Sequence, residues 1–456
     1  MINGKLLRTL RIYFIIVASL FFFALFIASA VRNVYYTPHQ GTKWFGDFAK
    51  YIKLFAEIPG DLKTFVYGAS VEDPKFNSQH VTKNETDKDG FTRHADVVYD
   101  SSPKLLISLK EGRFDPKFQL LDINTGDLIK QWDPDGKMLS DLTYNQANDI
   151  FLDLSKHNDF IYSHPLLLPD SAIIANSQVG LVKIDKDGKV VWVKNDKKYH
   201  HSVEQDIEGN LYVPTRPWQS RVFNFFPSDY NDTTSKYLDD EITKIDPVTG
   251  EILYCKSVTE LLIENGYEWI LLAKGLIQND QIHLNDIEPA RFDSKYWKAG
   301  DLLLSSRHLS AIFLYRPSTN KVLWLKMGPW YNQHDVDFLP NNKIVVFGND
   351  VLRFFGNDWS VYRAGHFSEA MPQNQVYVYN FENDEITTPY DQLMKKENIN
   401  TPTQGRCDIL PNGDIFIEET DNGKILFGDS TRTKITFVKR KDEEYTHVLL
   451  WSRIIY

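Results

Sequence analysis

Cysteine is nearly absent from this 456-residue chain, which carries only Cys255 and Cys407. Two residues cannot make a disulfide framework or a cysteine-based zinc site. They fall in different parts of the sequence, so one long-range bridge competes with two free buried thiols, and free thiols are the expectation. A basic excess is missing as well. Lys and Arg number 51 against 61 Asp and Glu, a net charge of −10, and a nucleic-acid partner would need a basic face. Long apolar runs are missing with one exception. Residues 12–31 (IYFIIVASLFFFALFIASAV) are 20 uncharged residues, enough to span a bilayer as a helix. Lys5, Arg8 and Arg11 precede the run. The positive-inside rule makes residues 1–11 a cytoplasmic tail and puts the bulk of the chain on the extracytoplasmic side, whether periplasmic, lumenal or extracellular. Ala28-Ser29-Ala30 resembles a cleavage site, the mark of a signal peptide. The run exceeds an ordinary signal core, which favours an uncleaved, single-pass membrane anchor.

What is present is a phrase at near-constant pitch. DINTGDLIKQW (122–132), DKDGKVVW (185–192), DPVTGEILY (246–254) and RPSTNKVLW (316–324) recur, with a degraded copy from Asn380. Gly126, Gly188 and Gly250 lie 62 residues apart, and the turns near Asn320 and Asp384 follow at about 70 and 64. A fixed period means one supersecondary unit repeated. Each copy reads strand, Asp/Gly/Asn turn, strand, which is a β-hairpin. A second hairpin lies upstream in each unit, as in LLLPDSAIIAN (166–176), DIEGNLYV (206–213), DFLPNNKIVVF (337–347) and DILPNGDIFIEE (408–419). Two hairpins per period make a four-stranded blade. The expected fold is all-β, a six-bladed β-propeller over 96–456 preceded by the membrane helix 12–31, with 32–95 as stalk and lead-in. A helix near the membrane is expected at 44–55. A linear β-solenoid would have a much shorter repeat. Trp132, Trp192 and Trp324 close successive copies and are expected to pack between blades.

The inner strand of each propeller blade starts at the central channel, so residues at one place in several blades converge. His201 precedes the Gly209 turn by eight residues, His334 precedes Asn342 by eight, and His164 precedes Ser171 by seven. His283 opens HLNDIEPA ahead of a longer turn. His201, His283 and His334 are therefore read as one cluster, with His164 undecided. His200 is expected to face away if the segment is extended, and His308, His366 and His447 show no such registration. Arg307 follows His283 at the end of the next strand. Among histidines a guanidinium favours an oxyanion over a metal, through planar paired bonds; the alternative is a structural ion pair with a neighbouring blade. Asn285, on the same strand side as His283, could donate to the same anion. Trp218, Phe223, Phe225, Phe226 and Trp359 lie in long segments of the kind that rim a channel mouth. They could stack on an aromatic substrate, shield a hydrophobic surface or face the membrane.

HLND (283–286), SSRHLSAIFLY (305–315), VLWLKMG (322–328) and QHDVDFLPNNKIVVFGN (333–349), with HHSVEQDIEGNLYV (200–213), resemble the bacterial arylsulfotransferases, PAPS-independent aryl-sulfate sulfotransferases. These are exported six-bladed propellers with a histidine-rich funnel. The resemblance implies His334 as the nucleophile that becomes a transient sulfohistidine, with His201, His283, Asn285 and Arg307 holding the sulfate oxygens. It implies proton transfer by another histidine, and small-molecule partners, an aryl sulfate donor and a phenolic acceptor. No PAPS or other cofactor is expected. Calcium could sit in a propeller, but no ligand-spaced carboxylate loop demands it. The membrane anchor departs from soluble periplasmic members, and their cysteine pair has no counterpart. Two other readings stand beside transfer: sulfate-ester hydrolysis at the same site, and a non-catalytic binding module. Nothing in the sequence bears on oligomeric state.

Overall fold

The computed structural model describes residues 12–23, 26–27, 81–83, 86, 88–100, 102–112, 115–144, 162–177, 180–218, 221, 223, 237–273, 279–351 and 374–456. The chain divides into two units, 1–76 and 77–456. In the first, residues 12–23 and 26–27 are helical, and most of their side chains are exposed. Among the described residues no helix is long and apolar enough to cross a membrane. The remainder of the expected anchor, the tail 1–11 and the expected helix at 44–55 lie outside the described residues.

Among the described residues the second unit holds six blade sheets, each built around four antiparallel strands, and a two-stranded sheet of Val81–Lys83 with Tyr445–His447. Blade 1 contains Lys104–Gly112, Asp115–Asp122 and Leu128–Trp132; its inner strand, Arg453–Ile455, comes from the C-terminus. Blade 2 runs from Ser163–Leu167 to Val190–Lys194, and blade 3 from the short inner strand Glu204–Gln205 to Ile252–Ser257. Blade 4 spans Leu284–Pro289 to Lys321–Met327, and blade 5 Asp335–Leu339 to Glu385–Thr387. Blade 6 spans Arg406–Ile409 to Thr433–Val438, and Gly90–Arg93 adds a fifth strand to its outer edge. The expected six blades of four strands are present.

Closure into a ring follows from the alternation of side chains along each strand. Both faces of every sheet are apolar, so each must be covered by a neighbour. Leu106 and Phe118 pack with Ile173 and Val182 of blade 2, while Leu105 and Ile107 turn to Phe416 and Phe427 of blade 6. Leu302 and Leu304 meet Tyr212 and Ile242 of blade 3, and Leu303 meets Ile344 and Val346 of blade 5. The remaining interfaces join blades 2 and 3 through Ile174 and Leu211, and blades 5 and 6 through Phe347 and Ile417. The recurring tryptophans pack as expected. Trp132 and Trp192 lie in the seams after their own blades, and their indole nitrogens donate to Ser171 O (3.1 Å) and Pro247 O (3.3 Å) in turns of the next blade. Trp324 packs at the seam of blades 4 and 5.

Buried carboxylates join each blade to the next around much of the ring. Asp240 accepts from Leu284 N (3.0 Å), Asp286 from Val336 N (3.1 Å) and Asp335 from Cys407 N (2.9 Å). Glu418 accepts from Trp451 N and Ser452 N at 2.9 and 2.5 Å. Arg453 makes a bidentate pair with Glu204 at 2.8 and 2.7 Å, tying the closing strand to blade 3. Both cysteines are free, but only Cys407 is buried; Cys255 is exposed on the outer strand of blade 3, contrary to expectation, because that edge strand has only one face against a neighbour.

Candidate active site

One left-handed, non-glycine residue stands at or just before the inner strand of every blade. They are Trp451, His164, His201, His283, Asn332 and Gln404, with φ between 53° and 66°. Such backbone costs roughly 1–3 kcal/mol at each position and gathers at functional sites. Here it turns the chain at the channel, so that neighbouring side chains meet instead of alternating.

His200 shows the consequence. An extended backbone would aim it away from His201, but His201 has φ 57° and the two Nδ1 atoms lie 2.7 Å apart. From His201 the cluster spreads both ways. Its ring centroid is 5.0 Å from His283, 6.0 Å from His334 and 6.2 Å from His164. The three histidines grouped from sequence therefore come together, and His164 joins them, packed at 4.6 Å against Trp451. His308, which showed no registration, also belongs: its ring lies 4.4 Å from His283. It sits in the turn after the second strand of blade 4, a position that the spacing of inner-strand turns does not sample. Of the other unregistered histidines, His447 is buried 3.7 Å from Glu111, and His366 lies outside the described residues.

Arg307 is 3 % exposed, with Nη1 3.2 Å from His308 Nε2. Its Nε and Nη2 have no hydrogen-bond partner among the described residues, and no carboxylate pairs with it there. Among the described residues the alternative of a structural ion pair finds no partner. Buried donors without partners are uncommon, and a guanidinium offers planar paired bonds that suit an anion.

His334 is held at both nitrogens. Nδ1 lies 2.5 Å from Asn349 Oδ1, and the Asn349 amide donates to Thr401 O and Gln404 O, both at 2.7 Å. Those two bonds fix which end of the amide faces His334, so an acceptor faces Nδ1 and the proton sits there. Nε2 then carries the lone pair, with Gln404 N–H 3.2 Å away. Burial holds His334 down at about 4, and pushes His201, His283 and His164 well below the ordinary histidine value. All four are neutral imidazoles at neutral pH. Asn349 closes the family-like segment 333–349, so its presence was visible in the sequence though its role was not.

Asp280 accepts from His283 Nδ1 at 2.5 Å and from Arg216 at 2.8 Å. Arg216 also binds Asp240 (2.6 Å), which lies 3.1 Å from His200 Nε2. Burial works to raise Asp240, but Arg216 and His200 outweigh it and hold the carboxyl at about 2. Ligand atoms of Asp280, His283 and His308 lie within 4.8 Å of one another. Each already has a partner: His308 Nδ1 is 2.6 Å from Asp280 O, and Arg216 occupies the other oxygen of Asp280. With Arg216 and Arg307 alongside, the group favours an anion over a cation.

Asn285, fully buried at a register shift in the blade 4 inner strand, donates to Gln333 O at 3.1 Å, next to His334. Its Oδ1 has no partner among the described residues. Trp218 packs against the seam of blades 1 and 2, donates to Asn195 O (2.8 Å) and lies under Lys198. Phe223 packs on Tyr237; Phe225, Phe226 and Trp359 lie outside the described residues.

Several solved structures resemble the chain at low identity. A protein of unknown function from Bacteroides caccae is 12 % identical, with a TM-score of 0.45 over 78 % of this chain and 99 % of its own. The Pan2 WD40 domain of Neurospora crassa is 10 % identical, with a TM-score of 0.36 over 79 % and 86 %. Virginiamycin B lyase from Staphylococcus aureus is 11 % identical, with a TM-score of 0.32 over 62 % and 71 %. No curated protein matches the chain. The sequence profile of the arylsulfotransferase (ASST) family matches residues 164–441, from the His164 blade through blade 6 and across every histidine of the cluster. The chain belongs to the arylsulfotransferase family.

Proposed function

We propose that the propeller transfers a sulfuryl group from an aryl sulfate to a phenolic acceptor through a sulfohistidine at His334. The observation that carries this is the buried Arg307, whose Nε and Nη2 have no partner among the described residues, beside a cluster of imidazoles in which His334 holds its Nε2 lone pair oriented, with only the Gln404 N–H on it. The neutral His334 Nε2 attacks sulfur, the S–O(aryl) bond breaks, and its electron pair leaves on the phenolate. The acceptor oxygen then attacks the same sulfur and the S–N bond breaks, returning the lone pair to His334. Charge on the sulfuryl oxygens during both steps needs fixed donors. Arg307 supplies them, with His201, His283 and Asn285 around it, and Gln404 N–H can pass from Nε2 to a sulfuryl oxygen. Neither step requires PAPS. In this reading Trp218 would border the aryl ring.

Residues 12–31 serve, in this reading, as a single-pass anchor that leaves the propeller extracytoplasmic. The uncharged run and the preceding Lys5, Arg8 and Arg11 support it. Protease treatment of sealed membranes of known orientation tests that placement. Activity is tested with p-nitrophenyl sulfate, with and without phenol. Acceptor-dependent nitrophenol release together with phenyl sulfate formation is expected. Release independent of phenol would mean hydrolysis, and no release would leave a binding module.

A further inference from the structure

The two histidines with the best-defined hydrogen bonds differ in one respect. At Nδ1, His334 faces the neutral amide of Asn349, whereas His283 faces the carboxylate of Asp280, each at 2.5 Å. An amide oxygen fixes a tautomer and favours imidazolium only through its dipole, while a carboxylate fixes the tautomer and adds a full negative charge to stabilise the cation. His201 has neither partner; its Nδ1 meets His200 Nδ1. We infer that Asp280 is a positioning residue that makes His283, and not His201, the proton carrier of the reaction, while Asn349 keeps His334 a nucleophile. The inference rests on the sulfotransfer reading above and assigns the proton that it requires.

The proton balance is closed. As the acceptor oxygen attacks the sulfuryl group, its hydroxyl proton passes to His283 Nε2, giving an imidazolium whose Nδ1–H remains on Asp280. In the donor half-reaction the same Nε2, protonated as the anionic donor binds beside it, delivers its proton to the phenolate oxygen as the S–O bond breaks. No further acid or base is consumed. The charged groups around His283 are Asp280, Arg216 and Asp240, and the titratable rings beside it are His200 and His308. Arg216 lies between Asp280 and Asp240 and bonds to both, so it holds Asp280 in place while sharing its charge. Burial keeps His283 neutral in the empty site. The imidazolium is needed only while an anionic sulfate ester occupies the site: His283 takes a proton from solvent as the donor binds, and the proton it later gains from the acceptor returns to solvent as the product leaves.

Donors with different leaving groups separate proton transfer from mere structure. p-Nitrophenolate leaves without a proton, whereas phenolate needs one. Asp280→Asn keeps the shape of the side chain and removes its charge. Pre-steady-state sulfuryl loading is measured with p-nitrophenyl sulfate and with phenyl sulfate for wild type, Asp280→Asn and Asp280→Glu. The expectation is a loss of about 100-fold or more with phenyl sulfate, less than about 10-fold with p-nitrophenyl sulfate, and substantial recovery in Asp280→Glu. Equal losses with both donors, or no loss with phenyl sulfate, would overturn the assignment. If Asp280→Asn does not fold, Asp280→Glu and His283→Gln carry the same comparison. Wild-type protein that loads from neither donor would instead refute sulfotransfer itself.

Discussion

Arg307→Met should make the propeller more stable and the site inert. The guanidinium is 3 % exposed, and two of its nitrogens have no partner among the described residues. Leaving buried donors unmade costs about 1–3 kcal/mol, and a buried charge without a counterion adds to that. Methionine fills a similar volume and asks for no hydrogen bond. The backbone bond from Arg307 N to His283 O (2.9 Å) survives the change. For a unit spanning 77–456, an unfolding entropy of about 2 cal/mol/K per residue makes 1 kcal/mol worth a little over 1 °C. A gain of about 1–4 °C in Tm follows. Removing fixed donors from the sulfuryl oxygens should lower kcat/KM by about 10²–10³-fold. The assay is paired, with thermal unfolding with and without inorganic sulfate beside turnover of p-nitrophenyl sulfate. Wild type should gain Tm from sulfate and the variant should not. A variant that melts lower than wild type and turns over at the wild-type rate would refute the reasoning, because Arg307 would then be supporting the fold and not an anion.

Two further outcomes follow from packing and charge. Trp132 is 1 % exposed in the seam of blades 1 and 2, so Trp132→Ala should cost about 3–5 kcal/mol, read as a fall in denaturation midpoint; a change below about 1 kcal/mol would contradict the seam assignment. His334 titrates at about 4 in the fold against an ordinary 6.5. The unfolded chain therefore takes up the proton first, and the contribution of His334 to stability is full above pH 6.5 and lost as pH falls through 4. That is about 3 kcal/mol from this residue, measured as urea unfolding across pH 7 to 4; His334→Gln should flatten the profile, and an unchanged slope would contradict it.

The repeat was readable because a propeller writes its period into turn residues. Gly126, Gly188 and Gly250 all have positive φ, and Asn320 and Asp384 take the same backbone where glycine is absent. The convergence of His201, His283 and His334 followed from position in the repeat alone. The partners that give these histidines distinct chemistry were not readable in this way. Asn349 and Asp280 act across loops and blades, and nothing periodic marks them. His200 was misjudged because alternation along a strand fails at a left-handed residue, and sequence does not announce that His201 adopts φ 57°. The closing strand Arg453–Ile455 pairs with Lys104–Gly112 at the other end of the propeller unit, a partnership that local pattern cannot reveal.

The central claim is that a sulfuryl group rests on His334 between donor and acceptor. Protein incubated with p-nitrophenyl sulfate alone, quenched and weighed intact, then mapped by peptide fragmentation, tests it directly. One acid-labile sulfuryl group is expected on the His334 peptide, discharged by phenol and missing in His334→Gln. Sulfuryl transfer with no adduct, or an adduct on a different residue, would contradict it.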